Sequence, residues 1–220
     1  MELLHTVHVP VGDGVFPTVI ALHGWGASAH DLFGLAPFFQ GGAALTICPQ
    51  GSVSVPVGPG QEAWGWFPIT GGGPPDPAGF SRATEQLRGF IDEALERYPV
   101  DRRKVVLLGF SQGGVMAYDL ALRDPTRYVG LVALSSWLPE VLVPVTKLPE
   151  HEGFPTLVVH GTEDPMIPVE RGRESRDRLR DLGVALSYRE FEMGHEIRPE
   201  ALQALVEWLE DKVFQPIRLA

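Results

Sequence analysis

Short runs rich in valine, isoleucine and leucine alternate with segments of helical periodicity along most of the chain. Strands that are buried on both faces of a parallel sheet have this composition, because helices cover both sides of such a sheet. The apolar runs are residues 19–22, 45–48, 105–109, 129–134 and 157–160. The alternation therefore predicts an α/β fold with a mostly parallel central sheet and helices on both faces.

Other segments complete this expected architecture. Residues 3–9 and 186–191 alternate polar and apolar side chains, which is typical of strands at the two edges of a sheet. Apolar stripes at helical spacing lie within residues 83–98, 115–121 and 202–213. A length of 220 residues is normal for one α/β domain, so we expect a single domain with a sheet of about seven strands.

Two stretches do not follow the alternation. Residues 51–80 are rich in glycine and proline and carry several aromatic residues, and residues 135–155 contain four prolines. Because both follow predicted strands, we expect them at the carboxyl edge of the sheet, where open α/β sheets bind ligands. The second stretch is too short to form a full cap domain.

The charge of the chain excludes some classes of partner. A formal net charge of −10 argues against nucleic acid and anionic membrane surfaces, which attract clustered lysine and arginine. Five arginines between residues 171 and 180 are interleaved with acidic residues. This pattern is typical of a solvated helix face with local ion pairs.

The cysteine count and the hydropathy indicate a compartment. Cys48 is the only cysteine, which excludes an intramolecular disulfide and favours a reducing environment. Its place beside an apolar run indicates core packing, with a reactive thiol as the alternative. The N-terminus does not resemble a signal peptide, and no window is apolar enough to span a membrane. We expect a soluble, cytoplasmic protein without stable membrane insertion.

The segment Gly109-Phe110-Ser111-Gln112-Gly113 places a serine between two glycines, where an apolar run ends and a helical pattern begins. This is the layout of a nucleophile elbow, in which a sharp strand-to-helix turn holds a serine hydroxyl clear of its backbone. The glycines omit side chains that would collide where strand and helix meet. Ser111 is therefore the candidate nucleophile.

A nucleophilic serine needs a base, and three histidines follow Ser111 in the chain. His195 lies in a glycine-containing turn between the last predicted strand and the closing helix, a suitable place for a base. His160 ends an apolar run, where it could pack structurally or shape the turn that carries the acid. His151 lies in an irregular segment. We predict His195 as the base.

The base in turn needs an acid that orients it. Asp164 follows the strand that precedes the histidine loop, so its carboxylate is placed to accept a hydrogen bond from the imidazole. Glu163 is the competing candidate. A turn initiated by Asp164-Pro165 is the structural alternative for this aspartate.

An acyl-transfer site also needs donors for the negative charge that develops on the substrate oxygen. The backbone N–H of Gln112 follows the serine at a helix N-terminus and is the first candidate. The second is the N–H of Trp25, in the glycine-containing segment Leu22-His23-Gly24-Trp25-Gly26. A plain tight turn is the alternative for His23-Gly24.

Metal and phosphate sites have little support in the sequence. His5 and His8 share no clear third ligand, and His23 and His30 have no cysteine or carboxylate cluster at zinc spacing. The run of residues 71–75 lacks the Gly-Lys-Ser/Thr of a phosphate-binding loop. We expect no metal.

Taken in order along the chain, these motifs resemble the small carboxylesterases and acyl-protein thioesterases, the phospholipase/carboxylesterase family of α/β hydrolases. The resemblance rests on Leu22-His23-Gly24, Trp64 to Phe67, Gly109 to Gly114, Leu134-Ser135-Ser136-Trp137-Leu138-Pro139, His160 to Asp164 and Gly194-His195. It implies an α/β-hydrolase fold and hydrolysis of carboxylic esters and thioesters without a cofactor. It also implies a triad of Ser111, Asp164 and His195, with Trp25 and Gln112 in the oxyanion hole.

One segment departs from the family pattern. Trp66-Phe67-Pro68 stands where the family usually has Trp-Phe-Asp, which puts the substrate preference in doubt. We expect an open rim with apolar walls that suits a short to medium acyl chain of a small-molecule or lipid-like substrate. The predicted wall residues are Trp66, Phe67, Trp137, Leu138 and Leu142.

Other functions are compatible with the same sequence. A hydrolase fold without catalysis that binds a small ligand is one alternative, and a lysophospholipase or peptidase that uses the same triad is another. The order of serine, acid and histidine argues for catalysis. A homodimer is left open by the sequence.

Overall fold

The computed structural model describes residues 3–58, 62–69 and 76–214. Its centre is a seven-stranded sheet in the order β1-β3-β2-β6-β7-β8-β9, in which only β1 pairs antiparallel. The strands of this sheet are β1 (His5–His8), β2 (Phe16–Leu22), β3 (Leu45–Pro49), β6 (Val100–Phe110), β7 (Gly130–Leu134), β8 (Pro155–Gly161) and β9 (Ala185–Phe191). The prediction of a mostly parallel sheet of about seven strands, with edge strands near residues 3–9 and 186–191, is confirmed.

Helices cover both faces of the sheet, as predicted. The main helices are α1 (Pro77–Arg97), α2 (Gln112–Arg123), α3 (Val169–Leu182) and α4 (Pro199–Leu209), and a π-helical turn, Glu210–Phe214, continues α4. Successive strand residues point to opposite faces, so the sheet separates two apolar cores. Ile20 and Leu107 pack with α1, α2 and α3, whereas Val19 and Val106 pack with α4 and the 3-10 segment Phe33–Gly42.

The register of the parallel strands places the loops of the site next to one another. Leu22 pairs with Gly109 between β2 and β6, and Phe110 pairs with Leu134 between β6 and β7. At the other side of the sheet, Gly161 of β8 pairs with Phe191 of β9. The loops that follow β2, β6, β8 and β9 therefore leave the same edge of the sheet.

The stretch 51–80 forms regular structure in the parts that are described. It contains a separate antiparallel hairpin of β4 (Val53–Pro56) and β5 (Glu62–Gly65), with Val53 opposite Gly65. A bridge between Ala27 and Trp64 joins this hairpin to the loop after β2. The glycine and proline run at residues 71–75 lies outside the described residues.

The two remaining segments behave as the sequence predicts. Residues 135–154 form loops and one 3-10 turn, Pro149–His151, between β7 and β8. The arginine-rich segment is α3, where Arg171 pairs with Glu174 and Arg180 pairs with Asp177 on the exposed side. These local ion pairs match the expected solvated helix face.

Candidate active site

Ser111 lies in a strained turn between β6 and α2. Its backbone angles are φ 54° and ψ −120°, a conformation that residues other than glycine rarely adopt. Its N–H donates to the carbonyl of Leu134 (2.9 Å), and its own carbonyl accepts from the N–H of Gly114 (2.9 Å). The turn thereby holds the serine hydroxyl at the carboxyl edge of the sheet.

Two glycines permit this turn because backbone fills the space where their side chains would be. A Cβ at Gly109 would overlap the backbone of Gly113, and a Cβ at Gly113 would overlap the carbonyls of Leu22 and His23. The first turn of α2 thus packs directly on the ends of β2 and β6. This contact confirms the prediction that side chains at residues 109 and 113 would collide where strand and helix meet.

The structure brings Ser111, His195 and Asp164 into one chain of hydrogen bonds. The Nε2 atom of His195 lies 3.0 Å from the Oγ atom of Ser111, and Nδ1 lies 2.7 Å from Oδ2 of Asp164. Since a carboxylate only accepts, Nδ1 carries the proton, which leaves Nε2 free to accept from the serine hydroxyl. The tautomer that a general base requires is therefore fixed by Asp164.

The carboxylate of Asp164 is buried and held on both oxygens. Its Oδ1 atom accepts from the N–H groups of Met166 and Ile167, each at 2.9 Å, while Oδ2 faces His195. The imidazole of His195 packs against the ring of Phe110, and its side chain is 19 % exposed. The carboxylate of Asp164 is thus held in one orientation, whereas part of the His195 ring reaches the surface.

The competing candidates have other contacts. His160 is buried, and its Nε2 donates to the carbonyl of Ile167 (2.8 Å), 3.8 Å from Oδ2 of Asp164. It therefore supports the turn that carries the acid, which is one of the two roles expected for it. His151 donates from Nε2 to the carbonyl of Leu122 (2.7 Å), and Glu163 is exposed.

The two residues predicted to supply oxyanion donors belong to neighbouring segments. Gln112 is the first residue of α2, and Trp25 lies in the loop after β2, the neighbour of β6. The loop after β2 approaches the serine closely, since a Cβ at Gly24 would lie 3.2 Å from Cβ of Ser111. The structure therefore places both segments next to Ser111.

Trp66 and Phe67 do not form an open wall, contrary to the sequence prediction. Their side chains are 2 % and 1 % exposed. The indole Nε1 of Trp66 donates to the carbonyl of His23 (2.8 Å), and the ring of Phe67 packs edge-to-face on Phe80. The hairpin of β4 and β5 directs these aromatic side chains into the apolar core. Composition alone does not reveal this path of the chain.

A groove of about 730 Å³ runs between the segment after β7 and the acid turn. Half-buried Trp137 and buried Leu138 and Leu142, three of the residues predicted as substrate walls, line it. Met166 and Ile167 line the same groove, and Met166 is 73 % exposed. Neither of these two residues is predicted from the sequence, although both directly follow Asp164-Pro165 and so share the turn of the predicted acid.

His23 is a buried structural residue beside the site. Its Nδ1 donates to the carbonyl of Gly24 (2.7 Å), and its Nε2 accepts from the N–H of Gly51 (2.9 Å). Burial lowers the pKa of His23 and outweighs the opposing influence of the Gly24 carbonyl and of Asp31. The imidazole is therefore neutral, and it links the loop after β2 to the loop after β3.

Burial also decides between the two interpretations of Cys48. It raises the pKa of the Cys48 thiol to about 12, so the thiolate is negligible at neutral pH. Core packing, rather than reactivity, explains this residue. Within residues 3–58, 62–69 and 76–214, no histidine, cysteine and carboxylate groups cluster as metal ligands would. None of the helices in these ranges is long and apolar enough to span a membrane.

Comparisons with known proteins identify the family of the chain. The sequence pattern of the phospholipase/carboxylesterase family matches residues 9–213. An acyl-protein thioesterase 1 of Mycosarcoma maydis is 27 % identical over 96 % of this chain and 98 % of its own. An acyl-protein thioesterase 1 of Gibberella zeae is 29 % identical, over 85 % of this chain and 83 % of its own.

A solved structure shows the same fold. The carboxylesterase of Bacillus cereus superimposes with a TM-score of 0.82 at 23 % identity, over 96 % of this chain and 94 % of that chain. The sheet order and this likeness define an α/β hydrolase. The chain belongs to the phospholipase/carboxylesterase family and is a hydrolase of the carboxylesterase and acyl-protein thioesterase type.

Substitution of Gly113 by alanine should destabilise the protein by more than about 3 kcal/mol, because the new Cβ would meet backbone carbonyls that cannot move aside. Gly89 is the matched control, since it is exposed in α1 and has open space around its Cβ position. Gly89→Ala should stabilise by about 0.5–1 kcal/mol. Urea unfolding of both variants measures the difference, and equal effects would contradict the packing described for the elbow.

Protonation of His23 should destabilise the fold at acid pH. Because burial lowers its pKa in the folded state, His23 takes up a proton more readily when the chain unfolds. Its contribution is therefore complete above the unfolded pKa of about 6.5 and is lost as pH falls below that value. Unfolding free energies from pH 7.5 to 5 should fall less steeply for His23→Asn than for wild type, whereas exposed His30→Asn should follow wild type.

Proposed function

We propose that this protein is a serine hydrolase that cleaves carboxylic esters, including acyl thioesters, through an acyl-enzyme intermediate. The observation that carries the proposal is the continuous hydrogen-bonded chain from Ser111 Oγ to His195 and on to Asp164, at 3.0 and 2.7 Å. A nucleophile, a base in the correct tautomer and an orienting acid are the groups that acyl transfer needs.

In the first half of the reaction, Oγ of Ser111 attacks the acyl carbon while its proton passes to Nε2 of His195. The imidazolium that forms is stabilised by the adjacent carboxylate of Asp164, which stays ionised. The carbonyl oxygen of the substrate becomes an oxyanion. The N–H groups of Trp25 and Gln112 donate to it, and the N-terminal end of α2 adds a favourable dipole.

In the second half, collapse of the tetrahedral intermediate expels the alcohol or thiol, which takes the proton from His195. The acyl group is now an ester of Ser111. Water, activated by the same Nε2 atom, attacks this ester and forms a second tetrahedral intermediate, which releases the carboxylic acid and restores the serine hydroxyl. Every proton in this sequence passes through His195, so the reaction needs no cofactor.

The groove beside the acid turn supports an acyl chain as part of the substrate. Its apolar lining comes from Trp137, Leu138, Leu142, Met166 and Ile167, while Glu140, Arg171, Glu174 and Arg178 add polar groups. Apolar walls favour hydrocarbon over a polar acyl group. Together with the acyl-protein thioesterases among its relatives, this lining favours short to medium acyl chains on a small-molecule or lipid-like leaving group.

Removal of the nucleophile should abolish turnover and leave the fold intact. Ser111→Ala should lower kcat/KM for p-nitrophenyl butyrate by at least about 10³-fold, since the remaining groups only bind and polarise the ester. A fluorophosphonate probe should label wild type and fail to label this variant. Ser81→Ala, an exposed serine on α1, is the control and should match wild type in both assays. Appreciable turnover by Ser111→Ala would contradict the assignment, and an inactive, unlabelled wild type would favour a non-catalytic binding protein.

Truncation of the groove wall should change the preferred chain length. Trp137→Ala removes half-buried apolar surface from the groove, so kcat/KM for octanoyl relative to acetyl p-nitrophenyl esters should change by about 3- to 30-fold. Leu95→Ala, a partly buried residue of α1 that does not line the groove, provides a control for general loss of packing. An unchanged chain-length profile in Trp137→Ala would place the acyl chain elsewhere.

A further inference from the structure

One short segment, residues 64–67, contacts both the loop after β2 and the first residue of α2, which carry the predicted oxyanion donors. On one side it pairs with the loop after β2: Gly26 donates to the carbonyl of Trp64 (2.9 Å), and Trp64 donates to the carbonyl of Ala27 (2.8 Å). The indole Nε1 of Trp66 adds a bond to the carbonyl of His23 (2.8 Å). Three hydrogen bonds therefore hold this segment to the residues on either side of Trp25.

Side-chain packing strengthens the same contact. The six-membered ring of Trp25 covers the backbone of Gly65 so closely that a Cβ there would overlap the ring. The indole of Trp66 lies against the imidazole of His23, with ring centroids 5.1 Å apart and the planes 32° from parallel. The loop that presents the N–H of Trp25 is thus fixed to residues 64–67 by packing as well as by hydrogen bonds.

On the other side, the segment is bound by the side chain of Gln112. Oε1 of Gln112 accepts from the N–H of Trp66 (2.8 Å), and Nε2 donates to the carbonyl of Phe67 (2.7 Å). The side chain is buried. Its amide has one acceptor oxygen and one donor nitrogen, and these satisfy one backbone N–H and one backbone carbonyl of the segment. The same residue supplies the second predicted oxyanion donor through its own N–H.

We infer that Gln112 and Trp66 are positioning residues that set the separation of the two oxyanion donors, because they join residues 64–67 to the start of α2 and to the loop after β2; the inference rests on the proposed function. An oxyanion donor is effective only when it lies about 2.7–3.1 Å from the developing charge. Two donors from different segments meet this condition together only if the segments hold a fixed distance. The segment 64–67 provides that link, and its burial explains why Trp66 and Phe67 do not line the groove.

The test separates positioning from stability. Gln112→Met keeps the length of the side chain and the backbone N–H but removes both hydrogen bonds of the side-chain amide. Trp66→Phe removes the indole donor to His23 and part of the ring that packs on its imidazole, and it leaves both hydrogen bonds of the Gln112 side chain in place. In each variant, kcat for p-nitrophenyl butyrate should fall about 10- to 100-fold while KM stays within about 3-fold. This fall is smaller than the one expected when an oxyanion donor is removed altogether. Affinity for butylboronic acid, whose adduct with the serine mimics the tetrahedral intermediate, should fall by a similar factor.

Thr18→Val is the matched control. Thr18 is buried in β2, four residues before Leu22, and its hydroxyl donates to the carbonyl of Phe16 (2.9 Å). This substitution removes one buried hydrogen bond away from the site, so Tm should fall while kcat stays within about 2-fold of wild type. If Gln112→Met does not fold, Trp66→Phe carries the test, because it leaves both side-chain hydrogen bonds of Gln112 in place.

Each outcome supports or overturns the positioning role. A variant supports it if kcat and boronate affinity fall while KM stays constant, and if these losses exceed those of Thr18→Val at the same decrease in Tm. The positioning role is overturned if the variants retain kcat. It is also overturned if their kcat falls no further than that of Thr18→Val at the same decrease in Tm. A wild type without esterase turnover or fluorophosphonate labelling would overturn the proposed function itself, whereas an active wild type with unaffected variants overturns the positioning role alone.

Discussion

The close approach of α2 to the ends of β2 and β6 is the contact on which the rest of the site depends. Because Gly109 and Gly113 have no side chains, the first turn of the helix reaches the carbonyls of Leu22 and His23, and Ser111 is held at positive φ between them. The same approach brings the start of α2 against the end of β2, from which the loop with Trp25 leaves. A wider turn would separate Ser111 from the two predicted donors, so the proposed chemistry depends on local backbone sterics.

Buried histidines have a common structural use in this chain. His23, His151 and His160 each donate one ring N–H to a backbone carbonyl. His23 and His151 join segments 28 and 29 residues apart, whereas His160 supports the turn of Asp164, within seven residues of itself. His195 differs because its Nδ1–H is bound by a carboxylate and its Nε2 faces a hydroxyl. The partner of the ring, rather than burial alone, separates a candidate base from a structural histidine.

The parts of the fold that depend on local pattern could be predicted, and those that depend on long-range contacts could not. Apolar runs and helical stripes are visible in the sequence, and the glycines at residues 109 and 113 identify the elbow. The order of serine, acid and histidine identifies the remaining candidates for the triad. The burial of Trp66 arises from hydrogen bonds to His23 and Gln112, which are 43 and 46 residues away, so no local periodicity shows it. The exposure of Met166 likewise follows from the path of the turn after Asp164.

The turn after β8 places the proposed catalytic acid and a groove-lining side chain within three residues. Asp164 is oriented by the N–H groups of Met166 and Ile167, which every amino acid except proline provides, whereas the side chain of Met166 faces solvent at the groove. Substitutions at residue 166 can therefore reshape the groove without removing a bond from the carboxylate. Divergent evolution within such a scaffold can thus sample new substrates at this position while the machinery of acyl transfer is preserved.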